Sequence, residues 1–254
     1  MLLALDMGNT NITLGIYQQD TLLLQSRMAT DRKKLVDQYA VELMDILRLY
    51  RVEAAAIDGA ILSSVVPPLN HAIIGAVEKV TGVTPLLVGP GTKTGINIRI
   101  DNPAQLGADL LVGAAAAVAR VGAPCIVWDL GTATTVSVID REGAYRGGAI
   151  MPGVMTALNS LTESASLLPS ISVDAPAHVV GTNTITCLQS GAVYGNAAML
   201  DGMNRRIMAE LGYEAPVVVT GGLGRQIAAQ CSTPLTYVDE LLLEGLRLIY
   251  EKNR

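Results

Sequence analysis

Phenylalanine is absent from this sequence, and eight tyrosines and one tryptophan supply all of its aromatic side chains. A core without that bulk must come from close packing of the alanine, leucine and valine that dominate the hydrophobic half of the chain. Histidine is scarce as well: His71 and His178 have no partner motif and read as ordinary structural residues. Cys125, Cys187 and Cys231 are isolated in sequence, odd in number and without metal-ligand spacing. They exclude a disulfide framework and predict buried apolar residues of a reducing compartment. Only 16% of the residues are charged, the net charge is −5, and no Lys/Arg cluster of the kind nucleic acid demands is present, so nucleic acid is not an expected partner. The most apolar region, Leu110 to Trp128, is broken by Arg120 and Pro124 and is mostly alanine, which predicts a buried helix and strand and no membrane span. The N-terminus enters a strand pattern without a basic region or cleavage site, so a cytoplasmic location is expected.

What is present is a pattern made twice. Asp129-Leu130-Gly131-Thr132-Ala133-Thr134-Thr135 repeats, in altered form, Asp6-Met7-Gly8-Asn9-Thr10-Asn11. Each copy follows one apolar run and precedes another: Leu2 to Leu5 and Ile12 to Tyr17 around the first, Cys125 to Trp128 and Val136 to Ile139 around the second. Glycine lets a backbone approach a ligand closely, and small hydroxyl or amide side chains with exposed N–H groups suit phosphate oxygens. A carboxylate beside phosphate is repulsive unless a cation lies between, and Mg²⁺ takes one or two carboxylates together with phosphates. A single copy would read as an ordinary hairpin turn. Two copies, each opening one half of the chain, point to phosphate and metal.

The halves also share an order of elements. After the first hairpin, with its turn at Gln18 to Asp20, Leu22 to Met28 predicts a third strand. The spacing of Leu35, Val36, Tyr39, Leu43, Ile46 and Leu47 then predicts a helix to Leu49, with Thr30 or Asp31 in the N-cap region. A strand over Ala60 to Val66, a helix from Pro67-Pro68 to about Val80, and a strand over Thr84 to Val88 follow. In the second half, Cys125 to Ile139 and Gly143 to Ile150 supply the strands. Ser190 to Leu211 reads as a helix, Val217 to Thr220 as a strand, Arg225 to Gln230 as a helix start, and Glu240 to Glu251 as a final helix. Two α/β domains, 1–118 and 119–254, facing each other across a cleft are expected, with ligands beyond the strand ends. Between the matched elements lie the polar loops Gly89 to Gly95, Gly147 to Gly153, Gly181 to Thr184 and Thr220 to Gly224, and Asp109 near the first turn of an alanine-rich helix. Taken singly, each is turn chemistry or a favourable charge at a helix start.

Together these residues resemble the type III pantothenate kinases, within the acetate/sugar kinase, Hsp70 and actin superfamily. The resemblance spans essentially the whole chain. It is carried by Asp6-x-Gly8-Asn9-Thr10, Gly91-x-x-Thr94-Gly95, Asn102-Pro103 with Gly107-Ala108-Asp109, and Asp129-x-Gly131-Thr132-Ala133-Thr134. Gly148 with Pro152-Gly153, Leu168-Pro169, Thr184 with Ser190-Gly191, and Thr220-Gly221-Gly222 complete it.

The fold it implies is a pair of duplicated actin-like (ribonuclease H-like) α/β domains with an interdomain cleft. The activity it implies is ATP-dependent phosphorylation of the primary hydroxyl of pantothenate, the first step towards coenzyme A. By the same resemblance Asp6, Met7, Gly8, Asn9, Thr10, Asn11, Ile12, Thr13 and Thr132 would hold the nucleotide phosphates. Asp6 would be able to take Mg²⁺, and Asp129 a monovalent cation, K⁺ or NH₄⁺. Asp109 would be the catalytic base, Gly107, Ala108, Asp109, Leu110, Ile100 and Thr184 would line the acceptor site, and a homodimer is implied. Two positions depart from the family pattern: Leu110 stands where members commonly carry arginine, and Ile100 where many carry tyrosine. An ATP-binding regulator, or a kinase for a different small alcohol, remains open beside the leading reading.

Overall fold

Leu2–Met7 is apolar on both faces, and the computed structural model, which describes residues 1–254, places it as β1 at the centre of a sheet. Strands β2 (Asn11–Gln18) and β3 (Thr21–Ala29) extend that sheet as an antiparallel meander. Helix α1 (Val36–Leu49) then returns the chain so that β4 (Gly59–Ser64) pairs with β1 in parallel. Helix α2 (Asn70–Thr81) leads in the same way to the short strand β5 (Leu86–Leu87), which pairs with β4 in parallel. The strand order is β3-β2-β1-β4-β5.

The chain continues through β6 (Asn97–Ile98) and α3 (Ala108–Val121) into a second sheet. Besides β6, that sheet takes β7 (Cys125–Leu130), β8 (Ala133–Ile139) and β9 (Ala144–Pro152). Helices α4 (Val154–Ser164), α5 (Thr184–Ser190) and α6 (Asn196–Leu211) follow, the last two joined by one π-helical turn at Gly191–Gly195. Then come β10 (Val217–Thr220), α7 (Gly224–Ala228), β11 (Thr236–Tyr237) and the C-terminal α8 (Leu241–Asn253). The order β11-β10-β7-β8-β9-β6 is that of the first sheet with β6 added at one edge. The repeat in the sequence is therefore a repeat of topology.

Two compact units result: residues 1–96, 101–116 and 241–254 form the first, and 97–100 with 117–240 the second. A division after residue 118 differs from this at residues 97–100, 117–118 and 241–254, and the first and last of these have a packing reason. In the first unit, α1 and α2 cover one face of the sheet, burying Tyr39, Leu43, Leu47, Ile73 and Val77 against Leu3, Leu5 and Ile12. The other face carries Ala4, Tyr17 and Ile61, and α8 covers it with Leu243, Leu246 and Ile249. The last helix thus belongs to the first sheet. Conversely β6 pairs with β9, which takes residues 97–100 into the second unit.

Three local expectations also change. Gly147-Gly148 lies within β9 and not in a loop: Tyr145 opposes Ile139 while Gly147 opposes Val138, so Arg146 is the extra residue of a bulge. Gly147 has φ +123°, and a Cβ on Gly148 would meet the Val136 carbonyl oxygen at 1.7 Å. The N-cap of α1 is Leu35, and Thr30 and Asp31 serve elsewhere. Of the cysteines only Cys125 is buried, where burial pushes its thiol up to about 12; Cys187 is exposed on α5, and Cys231 is intermediate. No helix is long and apolar enough to cross a membrane.

Leu246 is fully buried between α8 and the first sheet. Leu246→Ala is expected to cost about 2–5 kcal/mol of stability, read as a lowered midpoint in urea unfolding.

Candidate active site

Each central strand carries, one residue before its end, an aspartate flanked by hydroxyl residues on the neighbouring strands. Asp6 on β1 is registered with Thr13 on β2 and Ser63 on β4; Asp129 on β7 is registered with Thr135 on β8 and Thr220 on β10. Both carboxylate residues are half-buried. Beyond each aspartate the chain turns through a glycine whose N–H closes the turn, Gly8 to the Asn11 carbonyl at 3.0 Å and Gly131 to the Ala133 carbonyl at 3.1 Å. The tips, Asn9, Thr10 and Asn11 in one unit and Gly131 and Thr132 in the other, are exposed. Met7 and Ile12 are fully buried and belong to the core beneath the turn.

The chain leaving the third strand of each unit grips the turn in the same way. After β3, the Thr30 hydroxyl donates to the Gly8 carbonyl at 2.7 Å and the Thr30 N–H to the Thr10 carbonyl at 2.9 Å. After β9, the Thr156 hydroxyl donates to the Thr132 carbonyl at 2.7 Å and the Gly153 N–H to the same oxygen at 3.1 Å. One backbone donor and one threonine hydroxyl hold each turn. Neither threonine was singled out for this role by sequence. The usable signal was a threonine placed shortly beyond the third strand in both halves.

The second turn is held by bare backbone as well. A Cβ on Gly153 would lie 2.3 Å from the Gly131 carbonyl oxygen and 2.4 Å from that of Thr132. Gly221, after β10, has φ +96°, and a Cβ there would meet backbone atoms of Leu130 at 2.6 Å. Only glycine fits at either place. No three His, Cys, Asp or Glu side chains converge, so each turn offers one aspartate with hydroxyl and backbone oxygens. That donor set fits a cation completed by phosphate oxygens and water.

The remaining predicted residues fall into separate groups. Gly107, Ala108, Asp109 and Leu110 form the start of α3 in the first unit. The Asp109 carboxylate accepts the Leu110 N–H at 2.8 Å and occupies the space a Cβ on Gly107 would need, at 2.4 Å. Burial raises the Asp109 carboxyl above the usual carboxylate range, against the opposing pull of hydrogen bonds from the backbone N–H groups of Leu110 and of Asp109 itself. A half-buried carboxyl held at a helix start with a raised proton affinity has the properties of a proton acceptor. Ile100 belongs to the second unit, near Gly147 on β9. Thr184 is exposed as the first residue of α5, after the Asn183 N-cap.

Two sheets of one strand order, each with an aspartate-glycine turn closing its central strand, define the duplicated actin-like class of α/β proteins. Among solved structures, the fold matches a conserved Campylobacter jejuni protein described as a Baf family transcriptional activator (TM-score 0.62, 18% identity, 99% of this chain and 98% of that one). It also matches the inorganic polyphosphate/ATP-glucomannokinase of Arthrobacter sp. strain KM (TM-score 0.54, 16% identity, 100% and 99%). A sequence model described as type III pantothenate kinase matches residues 2–206. The type III pantothenate kinase of Halalkalibacterium halodurans is 44% identical over 254 residues, covering all of both chains. The chain belongs to the type III pantothenate kinase family.

Because Asp109 holds its proton more tightly folded than unfolded, its contribution favours folding in acid and is lost as pH rises through the raised value. Asp109→Asn is therefore expected to raise the melting temperature at neutral and alkaline pH. That gain should disappear below the ordinary carboxylate range, as thermal unfolding across pH would show.

Proposed function

We propose that this protein is a pantothenate kinase, transferring the γ-phosphoryl group of ATP to the primary hydroxyl of pantothenate as the first step towards coenzyme A. The observation that carries the reading is the duplicated aspartate-glycine turn, held in each unit by one backbone donor and one threonine hydroxyl, in a chain of this family. The turn residues Asp6 to Thr13 and Thr132 would bind the nucleotide phosphates through backbone N–H groups and the side chains of Asn9, Thr10, Asn11 and Thr132. Asp6 would take part in holding Mg²⁺, and Asp129 a monovalent cation, K⁺ or NH₄⁺. Such cations neutralise the phosphates, which is the charge compensation that phosphoryl transfer requires.

Asp109 would act as the base. The acceptor hydroxyl oxygen forms a bond to the γ-phosphorus as the bond to the β,γ-bridging oxygen breaks, ADP leaves, and the hydroxyl proton passes to the Asp109 carboxylate late in the reaction. The raised proton affinity of Asp109 suits that acceptance. Gly107, Ala108, Leu110, Ile100 and Thr184 would line the acceptor site, and the protein would work as a cytoplasmic homodimer. Domain limits near residue 118 would mark the two actin-like halves, with α8 lent to the first.

One observation favours a second reading, a kinase for a less acidic alcohol or a nucleotide-binding regulator. Leu110, directly after Asp109, offers no cation to an acceptor carboxylate. Incubation with ATP, Mg²⁺, K⁺ and either pantothenate or neutral alcohols of the pantetheine type separates the readings. Phosphopantothenate should form with the wild-type chain, and Asp109→Asn should lower turnover by about 10²–10⁴-fold while ATP still binds. Transfer to neutral alcohols alone, converted to pantothenate use by Leu110→Arg, would support the second reading. ATP binding without transfer to any alcohol would leave only the regulator.

A further inference from the structure

The loop between β3 and α1 carries Thr30-Asp31-Arg32-Lys33-Lys34, the densest basic run in the chain, and it is built onto the first turn. Thr30 is tied to Gly8 and Thr10 as described. Asp31 is fixed next: the Tyr39 hydroxyl, on a fully buried side chain of α1, accepts the Asp31 N–H and donates to the Asp31 carbonyl, both at 2.9 Å. The Asp31 carboxylate accepts the Lys33 N–H at 2.9 Å, which closes a local turn around Arg32. Arg32 is thereby held on a pinned backbone, and its Nη2 donates to the Asn9 side-chain oxygen at 3.2 Å, across 23 residues of sequence.

The rest of the basic run is disposed differently. Lys34 is half-buried, ion-paired to Glu42, and lies 5.4 Å from the Tyr39 ring centroid. Arg32 is exposed, and one bond to Asn9 leaves its other N–H groups to solvent. Asn9 is itself an exposed tip residue of the turn. A guanidinium hydrogen-bonded to Asn9 stands at the tip of a turn that begins with Asp6, a carboxylate residue that repels phosphate. Its planar fork of donors matches phosphate oxygens.

We infer that Arg32 is a further nucleotide-binding residue, whose guanidinium contacts the phosphate chain of ATP at the Asp6–Asn11 turn and is aimed there by Asn9. The inference rests on the assignment of that turn to phosphate in the proposed function. Arg32 adds a protein cation to a turn whose only other charged side chain is acidic, and it provides a contact that grows with the number of phosphates on the ligand.

The test compares AMP, ADP and Mg²⁺-ATP binding by calorimetry for the wild-type chain, Arg32→Ala, Arg32→Lys and Asn9→Ala. Arg32→Ala should weaken ATP binding by about ten- to hundredfold, with AMP affinity and melting temperature unchanged because the side chain is exposed. Arg32→Lys should fall between, since it keeps the charge and loses the fork. Asn9→Ala should weaken ATP less than Arg32→Ala. In steady state the Arg32→Ala loss should appear in the KM for ATP and leave the KM for the acceptor unchanged. An Arg32→Ala protein that binds ATP within twofold of wild type overturns the inference and leaves the proposed function standing. A wild-type chain that binds no nucleotide overturns both.

Discussion

The structure depends most on a contact between main chains. The turn that follows Asp129 runs against both Gly221 and Gly153, at distances where even a methyl group would collide with carbonyl oxygens and backbone carbon. Interiors packed this tightly do not deform smoothly, so the position of the turn is set by the strand ends around it. The Thr132 carbonyl is spent on the Gly153 N–H and the Thr156 hydroxyl. The residue itself is exposed at the tip of the turn. Rigidity of this sort is what a phosphate site needs, because donors already in place lose little freedom when the ligand arrives.

The first unit solves the same problem with a looser clamp. Thr30 grips Gly8 and Thr10 there, and the loop is locked from behind by the hydroxyl of Tyr39. The same unit carries Asp109 at the start of α3, with its proton affinity raised by burial. Under the proposed roles, nucleotide anchorage and proton acceptance would draw on different physical resources. The turns would use oriented donors and cations, whereas Asp109 would use desolvation, moderated by backbone N–H groups.

Much of this was legible in the sequence because the decisive features are local. An aspartate, a glycine and small polar residues between two apolar runs specify a turn wherever they occur, and their recurrence announced the duplicated topology. Other features were hidden for identifiable reasons. Thr30 and Asp31 before a helical pattern look like caps, since the same side chains that cap helices also tie turns; their true partners are Gly8, Thr10, Lys33 and Tyr39. Gly147-Gly148 could signal a loop or a bulge, and the pairing with β8 decided for the bulge. The periodicity of α8 gave its span to within a few residues but not its destination, because the face of the first sheet that it covers, with Ala4, Tyr17 and Ile61, lies far earlier in the chain. Cys187, expected in the core, sits on the exposed side of α5, a helix too short for its pattern to reveal which face is inward.

The central claim is that the main-chain clamp on the second turn organises the phosphates. The direct measurement is calorimetric affinity for AMP, ADP and ATP in the wild-type chain and in Gly153→Ala, with circular dichroism confirming that the variant stays folded. The account predicts affinity rising with each added phosphate in the wild type and a gradient flattened by the single methyl group. A folded Gly153→Ala protein that keeps the full gradient would contradict it.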